Sequence, residues 1–143
     1  MDISLVIPAY NESGIIMDTI QTVSARLAEL TSEYEVLIVD DGSTDGMARL
    51  VEHCGDSRVR LEGYTPNHGK GRAVRTGMLA AQGDLILCTD ADLAYGVDVF
   101  AGLLECLRTG EADLVIGSRR MDGTGYQNYP PLRIFMSKCF GLL

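Results

Sequence analysis

Residues 85–93 read LILCTDADL, a short apolar run that ends in two acids. The first four residues are typical of a buried strand in a parallel sheet whose two faces are covered by helices. Asp90 and Asp92 follow, with Ala91 between them, and ligands of open α/β sheets bind beyond the carboxyl ends of the strands. Two such carboxylates repel each other unless a counter-charge is present, and Mg²⁺ or Mn²⁺ supplies one through oxygen ligands. The alternative is a solvated turn, because Asp is common after strands and at helix N-caps.

Similar apolar runs alternate with stretches of helical periodicity along the chain. The runs predict strands at residues 3–7, 36–39, 58–61, 85–88 and 114–116. The periodic stretches predict helices at about residues 15–30, 47–51, 73–81 and 97–107, with Ser13 as a possible cap of the first and Ser43 or Thr44 of the second. Strands that alternate with helices over short loops indicate an α/β fold, with a mostly parallel sheet, helices on both faces and right-handed crossovers.

The composition limits the function classes. With 143 residues, of which 46% are hydrophobic, the chain predicts a single folded domain over residues 1–143. The net charge of −8 argues against a nucleic-acid partner, which needs a basic surface. The four cysteines form no CxxC pair, which argues against a zinc site.

Both ends of the chain give further expectations. A strand directly after Met1 leaves no room for a signal peptide, and no apolar run has the roughly 18 residues of a membrane span. Residues 121–130 are polar and Gly-rich, which predicts a mobile loop. Residues 132–143 mix bases with apolar side chains and end without a cap, so we expect the domain to be incomplete at its C-terminus. This segment could lie in a membrane interface or pack on the rest of the domain.

Three predicted strands end in polar loops that should meet at one edge of the sheet, at residues 8–12, 40–45 and 90–92. An aromatic ring such as Tyr10 can stack on a nucleobase while an Asp accepts a hydrogen bond from a base N–H. Lys70, together with a metal, can neutralise a diphosphate. Each residue has a plainer interpretation: Tyr10 as the edge of a core, Asp41 as a turn residue and Lys70 as a solvated charge.

Five short motifs, spread in order over nearly the whole chain, are similar to those of one protein family. They are VIPAYNE (6–12), VDDGSTD (39–45), NHGKGRA (67–73), DAD (90–92) and GSR (117–119). The chain resembles the family 2 inverting glycosyltransferases of the GT-A (Rossmann-like) fold, and among them the polyprenyl- or dolichyl-phosphate sugar transferases. The resemblance implies an enzyme that moves a sugar from a UDP- or GDP-sugar to a lipid phosphate, with Mg²⁺ or Mn²⁺. It also implies a place at the cytoplasmic face of a membrane.

The resemblance also implies roles for individual residues. The nucleotide would contact Pro8, Ala9, Tyr10, Glu12, Asp41, Lys70, Asp90 and Ala91. Asp90 and Asp92 would be the catalytic metal-binding acids. The acceptor phosphate would meet Arg119, Arg133, Ser137 and Lys138. One departure is Leu93, where some relatives have a further polar ligand.

Other functions stay open. A family 2 transferase that acts on a sugar hydroxyl, as in polysaccharide synthesis, needs a carboxylate base, and the sequence offers no firm candidate. A phosphatase with an aspartyl nucleophile also places Asp-x-Asp after a strand, although Ala94 stands where such enzymes have Thr or Val. A non-catalytic module that binds nucleotide sugars is the third alternative.

Overall fold

The computed structural model describes residues 1–110 and 112–117. Four strands and four helices alternate along this part of the chain. The strands are β1 (Ile3–Ala9), β2 (Tyr34–Asp40), β3 (Val59–Gly63) and β4 (Leu85–Cys88). The helices are α1 (Ile16–Leu30), α2 (Met47–Glu52), α3 (Lys70–Ala80) and α4 (Val99–Arg108). The predicted alternation of strands and helices is confirmed over these elements.

The four strands form one parallel sheet in the order β3-β2-β1-β4. The chain first moves outward from β1 to β3 and then returns to place β4 on the other side of β1. The strand order therefore reverses between β1 and β4, where Val6 is paired with Cys88. In open α/β sheets this reversal leaves a crevice at the carboxyl ends of the strands, where ligands bind.

Helices cover both faces of the sheet, as predicted. On one face, α1, α2 and α4 pack on alternate strand residues such as Leu5, Ile7 and Ile38, all of which are fully buried. On the other face, α3 lies over β1, β2 and β3, with Ala73 packed against Val6 and its neighbours. The two buried clusters keep the sheet rigid, so that the loops at its carboxyl edge are held by a fixed frame.

Two predictions about the strands need correction. Residues 114–116 form no strand, and Leu114 and Ile116 are 74% and 77% exposed. A run of three apolar residues does not separate a strand from an exposed segment, and within the described residues nothing pairs with the outer edge of β4. β4 itself is covered on one face only: Leu87 is buried, but Ile86 and Cys88 are exposed because α3 lies over the other three strands.

The predicted helix caps are also wrong. The residues before α1 and α2 are Ile15 and Gly46, and neither of these two residues caps its helix through a side chain. The hydroxyl of Ser43 contacts the loop after β1 instead. The predicted loop 121–130 and the segment 132–143 lie outside the described residues. Among the helices that the structure describes, none combines the length and the apolar character needed to cross a membrane.

Candidate functional site

A cleft of about 240 Å³ lies at the carboxyl ends of β1, β2 and β4, at the reversal of strand order. Ten residues line it. They are Pro8, Ala9, Tyr10, Glu12, Asp41, Lys70, Ala73, Asp90, Ala91 and Asp92. The structure thus brings together in one cleft all eight residues predicted to bind nucleotide and both acids predicted to bind metal. Ala73 was missed, because a buried alanine in an amphipathic helix gives no signal beyond that of the core.

Asp41 is a buried carboxylate at the base of this cleft. Its side chain is almost inaccessible, with 3% exposure, and accepts hydrogen bonds from the backbone N–H groups of His68 at 2.9 Å and Gly69 at 2.8 Å. Burial by itself raises the pKa of Asp41, but these backbone hydrogen bonds and the nearby Tyr64 hydroxyl outweigh it and hold the pKa below its usual value. Asp41 is therefore an ionised acceptor that also fixes the loop leading into α3.

Tyr64 lies close to the Asp41 carboxylate. Burial, followed by the neighbouring Asp41 carboxylate, raises the pKa of Tyr64 to about 12, so the phenol stays protonated at neutral pH. Its ring lies against His68, with the ring centroids 5.6 Å apart, and under the guanidinium of Arg72 at 5.0 Å. These contacts stabilise the loop between β3 and α3.

Lys70 supplies Asp90 with a counter-charge from the protein itself. It is the first residue of α3, and its Nζ lies 2.6 Å from Oδ1 of Asp90. The hydrogen bond to Asp90 raises the pKa of Lys70, so the ammonium group is charged at neutral pH. Asp90 and Lys70 therefore form an ion pair at the N-terminus of α3, where the positive end of the helix dipole favours anions.

Asp92 differs from Asp90 in its surroundings. It is exposed, and its Oδ1 accepts the N–H of Ala94 at 3.1 Å within its own turn. Within residues 1–110 and 112–117 it takes part in no ion pair. An open carboxylate beside a paired one is suited to share a cation with an incoming anionic ligand.

The described residues fit a hard divalent cation with few protein ligands. Asp90 and Asp92 offer the oxygen donors that Mg²⁺ and Mn²⁺ prefer. No group of three or more His, Cys, Asp or Glu side chains gathers anywhere in the described part of the chain. Such a pair suits a cation that keeps several waters and completes its coordination with substrate phosphates.

Tyr10 presents its ring at the open side of the cleft, where it is 46% exposed. A large aromatic side chain left half open beside buried acceptors is the arrangement that base stacking requires. The residues predicted for the acceptor, Arg119, Arg133, Ser137 and Lys138, lie outside the described residues.

The fold and the cleft together define an α/β protein with a polar cleft at the reversal of strand order. The chain belongs to glycosyl transferase family 2, whose sequence profile matches residues 4–142. The family resemblance inferred from the five motifs is therefore confirmed.

Curated relatives are longer proteins. A dolichyl-phosphate beta-glucosyltransferase, ALG5C, of Trichomonas vaginalis is 35% identical over 98% of this chain and 45% of its own length. A dolichol-phosphate mannosyltransferase of Pyrococcus furiosus is 32% identical over 96% of this chain and 39% of its own length. The chain thus spans less than half the length of these relatives.

Solved structures show the same fold. Glucosyl-3-phosphoglycerate synthase from Mycobacterium tuberculosis, in complex with Mn²⁺, UDP and glucosyl-3-phosphoglycerate, superposes with a TM-score of 0.61 and is 30% identical over 77% of this chain and 40% of its own. The mannosyltransferase PcManGT from Pyrobaculum calidifontis, in complex with GDP-Man and Mn²⁺, gives a TM-score of 0.64 at 24% identity over 86% of this chain and 37% of its own. The predicted GT-A fold is confirmed.

Proposed function

We propose that the protein is an inverting glycosyltransferase that moves a sugar from a nucleoside diphosphate sugar to a polyprenyl or dolichyl phosphate. One observation carries the proposal: a half-open aromatic ring, a buried ionised acid, a Lys–Asp pair and a second, open acid meet in one cleft at the strand reversal. The relatives named above support the lipid-phosphate acceptor, since they are dolichyl- and dolichol-phosphate sugar transferases.

The donor nucleotide would lie across the cleft from Tyr10 to Lys70. In this arrangement the nucleobase stacks on Tyr10, and Asp41 presents an ionised acceptor to a base N–H. Pro8, Ala9 and Glu12 form the adjoining wall of the cleft. The diphosphate then lies beside Lys70 and the first turn of α3, where a positive side chain and the helix dipole both favour negative charge.

Asp90 and Asp92 would hold Mg²⁺ or Mn²⁺, and the glucosyl-3-phosphoglycerate synthase structure, which contains Mn²⁺, supports the use of such a cation. When bound, the cation supplies positive charge that stabilises the departing nucleoside diphosphate. Ala91 is buried between the two acids, which leaves the backbone there room to approach the ligand.

The chemistry is a single displacement at the anomeric carbon. An acceptor phosphate oxygen forms a bond to that carbon while the bond from the carbon to the diphosphate oxygen breaks, and the electron pair leaves with the nucleoside diphosphate. Because the phosphate oxygen is already anionic at neutral pH, no general base is required. Lys70, whose ammonium remains protonated, stabilises charge that grows on the leaving group.

The acceptor side of the site rests on Arg119, Arg133, Ser137 and Lys138, whose bases would orient the lipid phosphate. An acceptor of this kind places the protein at the periphery of a membrane, on its cytoplasmic face. The acidic net charge makes a nucleic-acid acceptor unsuitable.

The test is sugar transfer by the full-length protein. UDP-glucose and GDP-mannose, each labelled in the sugar, are incubated with the protein, Mn²⁺ and dolichyl phosphate in detergent, and lipid extracts are analysed. We expect a labelled lipid product that needs both metal and lipid phosphate. Donor binding without transfer to the lipid, or transfer only to a sugar hydroxyl, would contradict the proposed acceptor.

A further inference from the structure

Two neighbouring loops contribute residues to the cleft and are tied to each other by side chains that do not line it. The first loop follows β1 and contains Tyr10 and Glu12, and the second follows β2 and begins with Asp41. Asn11 lies between the two cleft residues of the first loop. The shape of this pair of loops bears on nucleotide binding, a consequence that rests on the proposed function.

Asn11 makes a reciprocal pair of hydrogen bonds with the second loop. Its backbone N–H donates to Oγ of Ser43 at 2.9 Å, and its side-chain Oδ1 accepts the backbone N–H of Thr44 at 2.8 Å. Both bonds join residues more than 30 positions apart in sequence, so they fix one loop on the other and do not merely shape a local turn.

Asp45 adds a second tie a few residues further on. Its Oδ2 accepts the backbone N–H of Ser13 at 2.8 Å, while its Oδ1 accepts the N–H of Met47 at the start of α2 at 3.1 Å. One carboxylate thus joins the first loop, the second loop and the helix that follows it. The first loop is therefore held at Asn11 and at Ser13.

The backbone at Asn11 shows that this residue type suits its position. Its φ of 56° lies in the left-handed region, which asparagine tolerates better than other residues with a side chain. That conformation turns the chain between Tyr10 and Glu12, and the side chain that permits the turn also secures it. Only asparagine and aspartate combine tolerance of this conformation with a short oxygen acceptor.

From this geometry we propose that Asn11 and Asp45 are positioning residues of the nucleotide site. They hold the loop that carries Tyr10 and Glu12 against the loop that begins with Asp41, so that ligand binding does not have to order the first loop. Neither residue is among those that line the cleft. Their effect on the ligand is therefore exerted through the residues that they hold, by preorganisation.

The test uses substitutions that keep the backbone conformation. Asn11→Gly retains the left-handed conformation and removes the Oδ1 acceptor, whereas Asn11→Asp retains a short acceptor oxygen. Thr22→Ala is the matched control, because Thr22 Oγ1 donates a comparable hydrogen bond of 2.7 Å to the Asp18 carbonyl on the exposed side of α1. Affinities for UDP and GDP with Mn²⁺ are measured by calorimetry, and melting temperatures are recorded for each variant.

We expect Asn11→Gly to weaken nucleotide binding about 10-fold, Asn11→Asp to bind within about 3-fold of the wild type, and Thr22→Ala to bind like the wild type. The conservative rescue is a readout that a general loss of stability would not produce. Should Asn11→Gly fail to fold, Ser43→Ala removes the partner of the Asn11 N–H and should weaken binding about 3-fold or more.

Wild-type affinity in a folded Asn11→Gly variant, or equal losses in Asn11→Gly and Asn11→Asp, would overturn the proposed positioning role. If the wild type itself binds neither nucleotide, the proposed function fails, and the positioning role fails with it. If the wild type binds and the variants do not differ, only the positioning role fails.

Discussion

Two acids only two residues apart occupy different electrostatic settings. Asp90 is paired with Lys70 at 2.6 Å, whereas Asp92 is exposed and makes a hydrogen bond only to the turn that contains it. The contact with Lys70 fixes the orientation of the Asp90 side chain. Asp92 has the larger capacity to respond to a cation, since no protein cation competes for it within the described residues.

The substitution Asp92→Asn should therefore separate function from folding. We expect metal-dependent binding of UDP or GDP to weaken by about 10-fold or more, and the free energy of unfolding to change by no more than about 0.5 kcal/mol. Calorimetry with Mn²⁺ and chemical denaturation measure the two quantities. Asp98→Asn, at another exposed acid that does not line the cleft, is the control. Equal effects of the two substitutions on binding would contradict a metal-binding role for Asp92.

Substitutions of Tyr10 test the proposed stacking of the nucleobase. Tyr10→Ala removes the stacking surface and should cost about 1–3 kcal/mol of nucleotide binding free energy, whereas Tyr10→Phe keeps the ring and should retain most of the affinity. Because the side chain is half exposed, folding stability should change little. Unchanged affinity of the alanine variant in the same calorimetric titration would show that the ring is not a stacking platform.

Helix α3 is the element that links the core to the cleft. Its first residue is Lys70, and its middle contacts the sheet through Gly77, where an added Cβ would clash with Val6 Cγ1 and lie 2.9 Å from Val39 Cγ2. The end of the helix is fixed by Glu35, a buried carboxylate on β2. The position of Lys70 in the cleft thus depends on how closely α3 approaches the strands.

Replacing Gly77 with alanine should destabilise the protein although alanine favours helices. The clash with two buried valines should lower the free energy of unfolding by about 1–3 kcal/mol, and the higher helix propensity of alanine offsets at most about 1 kcal/mol of this loss. Gly102→Ala is the matched control, since Gly102 lies inside α4 with nothing within 4 Å of an added Cβ, and it should stabilise by up to about 1 kcal/mol. Urea denaturation of both variants measures the difference, and a stabilised Gly77→Ala would contradict the close packing of α3.

Glu35 is the centre of a buried polar network near the C-terminal end of α3. Its Oε1 accepts the Ser4 hydroxyl at 2.5 Å and the Gln82 N–H at 2.8 Å, and its Oε2 lies 2.6 Å from Nη1 of Arg60. Burial by itself raises the pKa of Glu35, but the hydrogen bonds and the Arg60 guanidinium together lower it below its usual value. The ionised form is therefore the one that stabilises the fold.

The lowered pKa of Glu35 determines how this residue makes stability depend on pH. A carboxyl group whose pKa is lower in the folded state contributes its full stability above its unfolded pKa, near 4.3, and loses it as the pH falls through the folded value. Glu35→Gln should destabilise by about 1–3 kcal/mol at pH 7 and should flatten the loss of stability below about pH 4.5. Glu29→Gln, at an exposed acid paired with Arg26, is the control and should change the stability at pH 7 by no more than about 1 kcal/mol. Parallel acid profiles of the wild type and Glu35→Gln would contradict this role.

At the scale of the whole molecule, the sequence was most informative where periodicity and spacing determine the structure. The apolar runs predicted all four strands of the sheet, and the acids that follow them marked the edge at which the cleft formed. The convergence of Tyr10, Asp41 and Asp90 was predictable because the carboxyl ends of parallel strands share one edge.

Other features depend on contacts between distant residues and could not be read from local patterns. Ser43 resembled a helix cap in sequence, but in the structure its Oγ accepts a hydrogen bond from the backbone N–H of Asn11, 32 positions away. The Lys70–Asp90 pair was also not evident, because it depends on where α3 begins relative to β4. Residues 114–116 were apolar enough for a strand, but a strand requires a partner that sequence alone does not identify.

The central claim about this molecule is that the cleft binds a nucleoside diphosphate with a divalent cation. The most direct test is thermal unfolding with UDP and with GDP, each measured with and without Mn²⁺. A ligand at 100 times its dissociation constant stabilises the folded state by about 2.7 kcal/mol, so the melting temperature should rise with at least one nucleotide when Mn²⁺ is present. The Tyr10→Ala, Asp92→Asn double variant should lose that rise. No rise with either nucleotide, or an equal rise in the double variant, would contradict the claim.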